Sequence, residues 1–189
     1  MKLTASPFAR TARALTGGLL AAAVVTVGGA GAASAAVAAP AAHATATPGD
    51  VAHKYLTEST HLTIRAAAKA AEAAMDAAVA EGQRVSVAVV DRNGNTLVTL
   101  RGDGAGPQSY ESAIRKAYTA VSFNAPTSVL VGRLQQQPTL KDIPGTLFLA
   151  GGVPVTAKGS PIAGIGVAGA PSGDLDEKFA RAGAAALRR

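Results

Sequence analysis

The amino-acid sequence predicts one α/β domain, a mainly antiparallel five-stranded sheet flanked by helices. Three observations carry this prediction. An Ala-rich stretch with regularly spaced charges precedes a run of alternating valines, an Asn-Gly turn joins that run to a second strand, and a Gly-Gly pair further on separates two short apolar runs. Hairpins between consecutive strands make a sheet antiparallel. A length of 189 residues suits one domain of ordinary size.

The N-terminal 44 residues have the composition of an export signal. Three basic residues precede an apolar run of about 13 residues, shorter than the roughly 20 that span a bilayer. Small-x-small sequences predict cleavage after Ala35 or Ala44. We therefore expect a signal peptide over 1–44, a polar leader over 45–61, a folded domain over 62–189, and secretion to the extracellular space. An uncleaved membrane anchor is the alternative.

Composition narrows the possible chemistry. The chain has no cysteine, which excludes disulfides, thiolate metal sites and cysteine nucleophiles. Its net charge of +6 falls to +3 without residues 1–44, which hold three basic residues and no acid. A charge this mild argues against a nucleic-acid partner.

The elements follow from local signals. Thr63 is a suitable N-cap for an Ala-rich helix that runs to about Glu81 and stops at Gly82. Asp91 to Asn95 form a turn between two strands. The other predicted elements are strands over 85–90, 96–101, 147–150, 153–157 and 162–169, a helix capped by Ser109 and ending near Phe123, a short helix capped by Thr127, and a last helix over 174–187.

The last predicted strand has one face almost without side chains. Gly164, Gly166 and Ala168 alternate with Ile165 and Val167. Such a face allows a helix, a neighbouring subunit or a flat ligand to approach the backbone closely.

Three motifs have both a functional and a structural interpretation. The loop after Arg101 is rich in glycine and precedes a helix, so it could bind a carboxylate, but a flexible connection is the simpler interpretation. Asp174 and Glu177 are three residues apart, which favours a capping box over a metal site. A Ser-His-Asp hydrolase fits poorly because no Gly-x-Ser-x-Gly elbow is present.

Candidate iron ligands are few. Without cysteine, haem iron would need His, Met or Tyr, and His61, just before the first helix, is the best-placed histidine. Because bulky and aromatic residues are scarce, any haem would lie in a shallow or intersubunit site.

The segment Leu62 to Leu187 resembles the GlcG/HbpS family of small haem-binding, haem-degrading domains. The match runs in order through most of the predicted elements. The residues that carry it are Leu62-Thr63, Val85-Ser86-Val87-Ala88-Val89-Val90-Asp91 with Gly94, Arg101 with Asp103-Gly104-Ala105, Ala113 with Lys116-Ala117 and Thr119-Ala120, Pro126-Thr127, Gly151-Gly152 with Pro154, and Gly164-Ile165-Gly166-Val167 with Gly169.

The resemblance implies a profilin-like α/β sandwich in a symmetric homo-oligomer. It further implies haem binding, slow haem breakdown with iron release, and a membrane sensor histidine kinase as partner. We therefore expect a secreted haem-binding and iron-handling protein that acts as an accessory redox sensor. A regulatory protein that binds haem incidentally, without enzymatic activity, and a carrier of organic acids are the alternatives.

The expected haem contacts lie against the sheet edge and the second helix. Arg101 or Lys116 would pair with a propionate. Weak iron ligands would leave a position open for peroxide, and the candidates are Thr119, Thr127, Tyr118 and His61.

Overall fold

A computed structural model describes residues 49–188, and its folded unit has a four-stranded sheet between helices. The order of the strands is β2-β1-β4-β3, and every neighbouring pair is antiparallel. The predicted signal peptide and its cleavage sites lie outside the described residues. The elements are α1 (Ile64–Ala80), β1 (Ser86–Asp91), β2 (Thr96–Arg101), α2 (Pro107–Phe123), α3 (Thr127–Arg133), β3 (Gly152–Ala157), β4 (Ser160–Ala168) and α4 (Gly173–Ala186), with short 3-10 turns at His53–Tyr55 and Pro138–Asp142.

Helix α1 forms as its sequence predicts. The Thr63 side chain accepts a hydrogen bond from the Ala66 amide and caps the first turn. One face of the helix is made of fully buried alanines, and it packs with α4 against the β1 and β4 valines around Phe179. The charged stripe on the opposite face is exposed. Alanine allows α1 and α4 to lie close to the sheet.

The turn between β1 and β2 is organised by one carboxylate. Asp91 Oδ1 accepts the amide protons of Asn93 and Asn95, and Oδ2 accepts the Asn95 side-chain amide. Burial opposes ionisation, but these hydrogen bonds outweigh it and hold the pKa of Asp91 below its usual range. Gly94 supplies the positive φ of 89° that the turn needs.

The prediction of a five-stranded sheet is wrong by one strand, the one expected over 147–150. Within the described residues the sheet has four strands, and residues 147–150 do not join it. The reason is that the Leu147 amide donates to the side chain of Thr119 rather than to a neighbouring strand. The second hairpin turns instead at Lys158 and Gly159, whose φ angles are 51° and 79°. The profilin-like assignment stays a prediction.

The side-chain-free face of β4 is covered by helix α2. A Cβ atom on Gly164 would lie 2.1 Å from the Ala117 carbonyl oxygen, and one on Gly166 would lie 2.1 Å from that of Ala113. Such contacts are possible only for glycine. The sequence allows a helix, a neighbouring subunit or a flat ligand on this face. In the structure helix α2 covers it, so the space for a flat ligand is filled.

Three predicted helix caps differ in the structure. Helix α2 begins at Pro107, and the Ser109 hydroxyl bonds to Ser86 Oγ and to the Gly106 carbonyl. Helix α3 begins at Thr127 itself, after Pro126. Helix α4 is capped by Ser172, whose hydroxyl accepts from the Leu175 amide, so the predicted capping box of Asp174 and Glu177 is not formed.

No helix within residues 49–188 combines the length and the apolar character needed to cross a bilayer.

Candidate functional site

Three of the predicted haem contacts lie together around one stretch of chain, residues 147–152. The Thr119 hydroxyl donates to the Arg115 carbonyl and accepts from the Leu147 amide, both at 2.7 Å. The Thr127 hydroxyl accepts from the Gly152 amide at 2.8 Å. Both threonines are fully buried. Their hydroxyls therefore hold the connection that leads into β3, and their role as haem contacts stays a prediction.

Lys116 is the third of these residues, and its ammonium group is buried. Nζ donates to Asp176 Oδ2 at 2.8 Å and to the Val167 carbonyl at 3.0 Å. Burial raises the pKa of Asp176, and the hydrogen bond and charge of Lys116 offset part of that effect. The lysine thus joins α2 to α4 and β4, and its expected pairing with a propionate would compete with Asp176.

Asp176 was missed at the sequence level although it is central to the core. It lies 60 residues from Lys116, so no local pattern connects the two. The sequence signal that could have indicated a buried acidic partner was the position of Lys116. It lies on the same face of an amphipathic helix as Ala113, Ala117 and Ala120. A charge on such a face requires a buried partner.

The remaining predicted contacts are spread over the surface. Arg101, at the end of β2, donates to the Ala105 carbonyl at 2.7 Å and closes the glycine-rich loop on itself. Tyr118 is half-buried over the β1–β2 turn, and its ring fills the space beside Gly94 and Gly145. His61 is exposed and shares a hydrogen bond of 2.6 Å with Ser59. The structure does not bring these three together with Lys116.

A cavity lies at the other edge of the sheet, between β3 and α4. Its volume is about 550 Å³, and an adjoining cavity of about 180 Å³ shares four of its lining residues. We call the two together the β3–α4 groove. The residues that line it are Leu62, Asn124, Pro126, Val153, Pro154, Val155, Thr156, Ile162, Arg181, Ala184, Ala185, Leu187 and Arg188.

Helix α4 supplies one wall of the β3–α4 groove from a single face. Arg181, Ala184 and Ala185 lie on one side of α4, and Arg188 follows in the turn just after the helix ends at Ala186. The opposite wall is the edge strand β3, whose Pro154 has no amide proton. Among the described lining residues, the charged ones are these two arginines. The groove therefore combines valine, proline and alanine side chains with two arginines.

Arg181 is held in place by a buried carboxylate. It donates to Glu177 Oε1 one helical turn away, and Glu177 in turn accepts from the amide and the hydroxyl of Ser128 at 3.0 and 2.8 Å. Burial alone would raise the pKa of Glu177, but the hydrogen bonds from Ser128 and the charge of Arg181 outweigh it and hold that pKa below its usual range. Glu177 thus positions Arg181 and fixes α3 against α4.

The described residues contain no cluster of three or more His, Asp or Glu side chains that could bind a metal ion. In the β3–α4 groove the oxygen donors of side chains are the Asn124 amide and the Thr156 hydroxyl. Both are weak ligands for iron. His61 precedes Leu62, which lines one end of the groove. The groove can thus offer guanidinium groups and some apolar side chains to an organic anion.

Known proteins resemble this chain over most of the described domain. A family model described as haem degrading protein HbpS-like matches residues 62–185. The crystal structure of a double mutant of HbpS from Streptomyces reticuli is 76% identical with a TM-score of 0.72, and it covers 74% of this chain and 96% of that chain. A PduOC:heme complex is 27% identical with a TM-score of 0.62, over 67% of this chain and 95% of that chain. An uncharacterised 15.0 kDa protein from Citrobacter freundii, encoded between dhaT and dhaS, is 33% identical over 113 residues, which are 57% of this chain and 80% of the relative.

Proposed function

Because the chain belongs to the HbpS-like family of haem-degrading proteins, we propose that it binds haem in the β3–α4 groove and breaks it down slowly. The family match covers the folded domain, and a solved relative is a complex with heme. Both support a tetrapyrrole as the ligand. The position of the site is argued from the groove itself.

The observation that carries the proposal is the presence of two guanidinium groups beside valine, proline and alanine side chains. Haem has a wide apolar ring and two carboxylates. Arg181 lies in α4 and Arg188 lies in the turn just after that helix, and both line the groove. Valine, proline and alanine side chains lie between and opposite them. Charge-assisted hydrogen bonds from arginine to carboxylate are strong and directional, so these two arginines can orient the ring by its carboxylates.

The groove also suits a reactive ligand because it is open. It lies at the surface, against an edge strand, and its side-chain donors Asn124 and Thr156 are weak. Bound haem would supply the oxidative chemistry through its iron. The contribution of the chain is to hold the ring by its carboxylates while leaving one side of it accessible to peroxide and water. A protein that encloses haem with two strong ligands would protect the ring instead.

The wider role that we propose is that of an exported sensor. The charged, apolar and small-residue order of residues 1–44 supports secretion. Haem binding outside the cell, with slow iron release, would report haem and redox state to a membrane sensor histidine kinase. This part of the proposal depends on the resemblance to the family. A homo-oligomer is the assembly that we expect.

Haem titration of arginine variants tests the site. Arg181→Ala and Arg188→Ala should each weaken haem binding about tenfold, which corresponds to the loss of one charge-assisted hydrogen bond of about 1.4 kcal/mol. The Soret band gives the dissociation constant. Arg115→Ala is the matched control because Arg115 is as exposed as Arg181 and pairs with Glu111 four residues away. Haem dimethyl ester, which lacks carboxylates, should bind the wild type and both variants alike.

Equal haem affinity in all four proteins would show that the site lies elsewhere. Activity is measured separately, as iron released from haem and peroxide compared with haem on serum albumin. A rate equal to that on albumin would leave a haem-binding regulatory protein without enzymatic activity.

A further inference from the structure

Met75 is the one sulfur-containing residue among residues 49–188. The chain has two methionines and no cysteine, and the other methionine, Met1, lies outside the described residues. Peroxides convert a thioether to a sulfoxide, a change that reductase enzymes can reverse. The proposed haem site does not use this group. The surroundings of Met75 therefore decide whether an oxidant can reach the sulfur and what its oxidation would change.

The Met75 side chain borders a surface cavity of about 280 Å³ between the end of α1 and the loop after β2. Val79, one helical turn further along α1 and mostly exposed, lines the same cavity. The sulfur lies 3.2 Å from the position that a Cβ atom on Gly102 would take, so a larger residue there would crowd it. Because Gly102 also lines the cavity, a molecule as small as peroxide can reach the thioether.

The same side chain also contacts the interior. Met75 is half-buried and packs against the core cluster that includes Ala71, Ala78 and Val85. A sulfoxide is more polar than a thioether and fits poorly against an apolar surface. Oxidation should therefore loosen the end of α1 from the sheet. A fully exposed methionine would lack this effect, because it makes no contact with the core.

A partner for the oxidised side chain lies at the same cavity. Arg84 lines it, and within the described residues its exposed guanidinium group makes no hydrogen bond or ion pair with the protein. Its Nε lies 3.5 Å from the position that a Cβ atom on Gly104 would take, so the side chain lies over the glycine-rich loop. A guanidinium group has only N–H donors, and a sulfoxide oxygen accepts hydrogen bonds. Arg84 can therefore hold the oxidised side chain in the cavity.

We propose that Met75 is a site of reversible oxidation by hydrogen peroxide, and that Arg84 binds the resulting sulfoxide. The sulfur lone pair attacks one peroxide oxygen and the O–O bond breaks. The proton of the transferred oxygen passes to the other oxygen, which leaves as water. Sulfur thereby loses two electrons and peroxide gains them. The site gives the chain a response to peroxide that requires no haem.

Peroxide treatment of the haem-free protein tests the site. The wild type should gain one oxygen atom at Met75, located by peptide mass mapping, and its thermal midpoint should fall by about 4 °C. Methionine sulfoxide reductases of both stereospecificities should restore the midpoint. Met75→Leu is the control, since it keeps the side-chain volume and has no sulfur. Its midpoint should not change on treatment with peroxide.

Arg84→Ala tests the partner of the sulfoxide. Its thermal midpoint should fall further on oxidation than that of the wild type, whereas Arg65→Ala, which removes an exposed arginine from the first turn of α1, should respond as the wild type does. An equal fall in the wild type and in Arg84→Ala would overturn the contact with Arg84.

Two results would overturn the oxidation site itself. One is that Met75 stays reduced while a methionine-containing peptide in the same solution is fully oxidised. The other is that the oxidised wild type melts at the same temperature as the untreated protein. Because all these experiments use haem-free protein, their failure would leave the haem titrations of the groove variants unaffected.

Discussion

Removing the carboxylate of Asp176 should destabilise the domain severely. Asp176→Ala leaves the Lys116 ammonium group buried with the Val167 carbonyl as its remaining partner, and the Ala170 amide loses its acceptor. Breaking a buried ion pair from one side costs about 3–5 kcal/mol. The matched control is Glu111→Ala, which breaks the exposed pair with Arg115 and should cost less than about 0.5 kcal/mol. Urea unfolding followed by circular dichroism measures both.

A double variant tests whether the stability of the domain requires the two charges or only the absence of an unpaired buried charge. Lys116→Met with Asp176→Asn removes both charges and keeps an acceptor for the Ala170 amide. Replacing a buried pair by neutral groups of similar volume is often nearly neutral, so most of the loss should be recovered. A loss below about 1 kcal/mol for Asp176→Ala, or no recovery in the double variant, would refute the reasoning. The double variant should also bind haem as tightly as the wild type, and weaker binding would favour the predicted contact between Lys116 and a propionate.

Three further predictions concern single side chains. The folded state lowers the pKa of Glu177, so its ionised carboxylate stabilises the domain above pH 4.5, the unfolded value, and this contribution disappears as the pH falls through the folded pKa. In Glu177→Gln, the unfolding free energy should therefore fall less steeply as the pH is lowered through the acid range, as measured by urea unfolding at several pH values. Thr119→Val removes the buried acceptor of the Leu147 amide and should cost about 1–3 kcal/mol in urea unfolding, whereas an unchanged midpoint would contradict the role assigned to the hydroxyl. Gly166→Ala places a methyl group 2.1 Å from the Ala113 carbonyl, and its thermal midpoint should fall because helix α2 must move; a stable variant would exclude this close packing.

The parts of the fold that were predicted correctly have local causes. The bounds of β2 and the N-cap of α1 are confirmed because alternation, an Asn-Gly turn and a capping threonine act within a few residues of one another. The strand over 147–150 was wrong because a distant hydroxyl, that of Thr119, takes the Leu147 amide. Gly151 has a positive φ of 129°, as in a turn, but the hairpin lies eight residues later.

The candidate site was harder to predict than the fold. Family motifs include Lys116, Thr119 and Thr127, and the structure shows these residues bonded to the interior. The groove residues Arg181 and Arg188 belong to no motif, and only the folded arrangement places them against β3. The sequence shows both arginines in or just after a predicted terminal helix, but arginines at such positions are also typical of an ordinary exposed surface.

The small side chains of this chain explain why the space for a large ligand lies at an edge of the sheet. Helix α2 touches the backbone of β4 at Gly164 and Gly166, and α1 packs with α4 through alanine, so the described domain is closely packed on both faces of the sheet. A ligand as large as haem cannot enter between layers so close together without separating them. This close packing supports the proposal that haem binds beside β3, where the sheet ends.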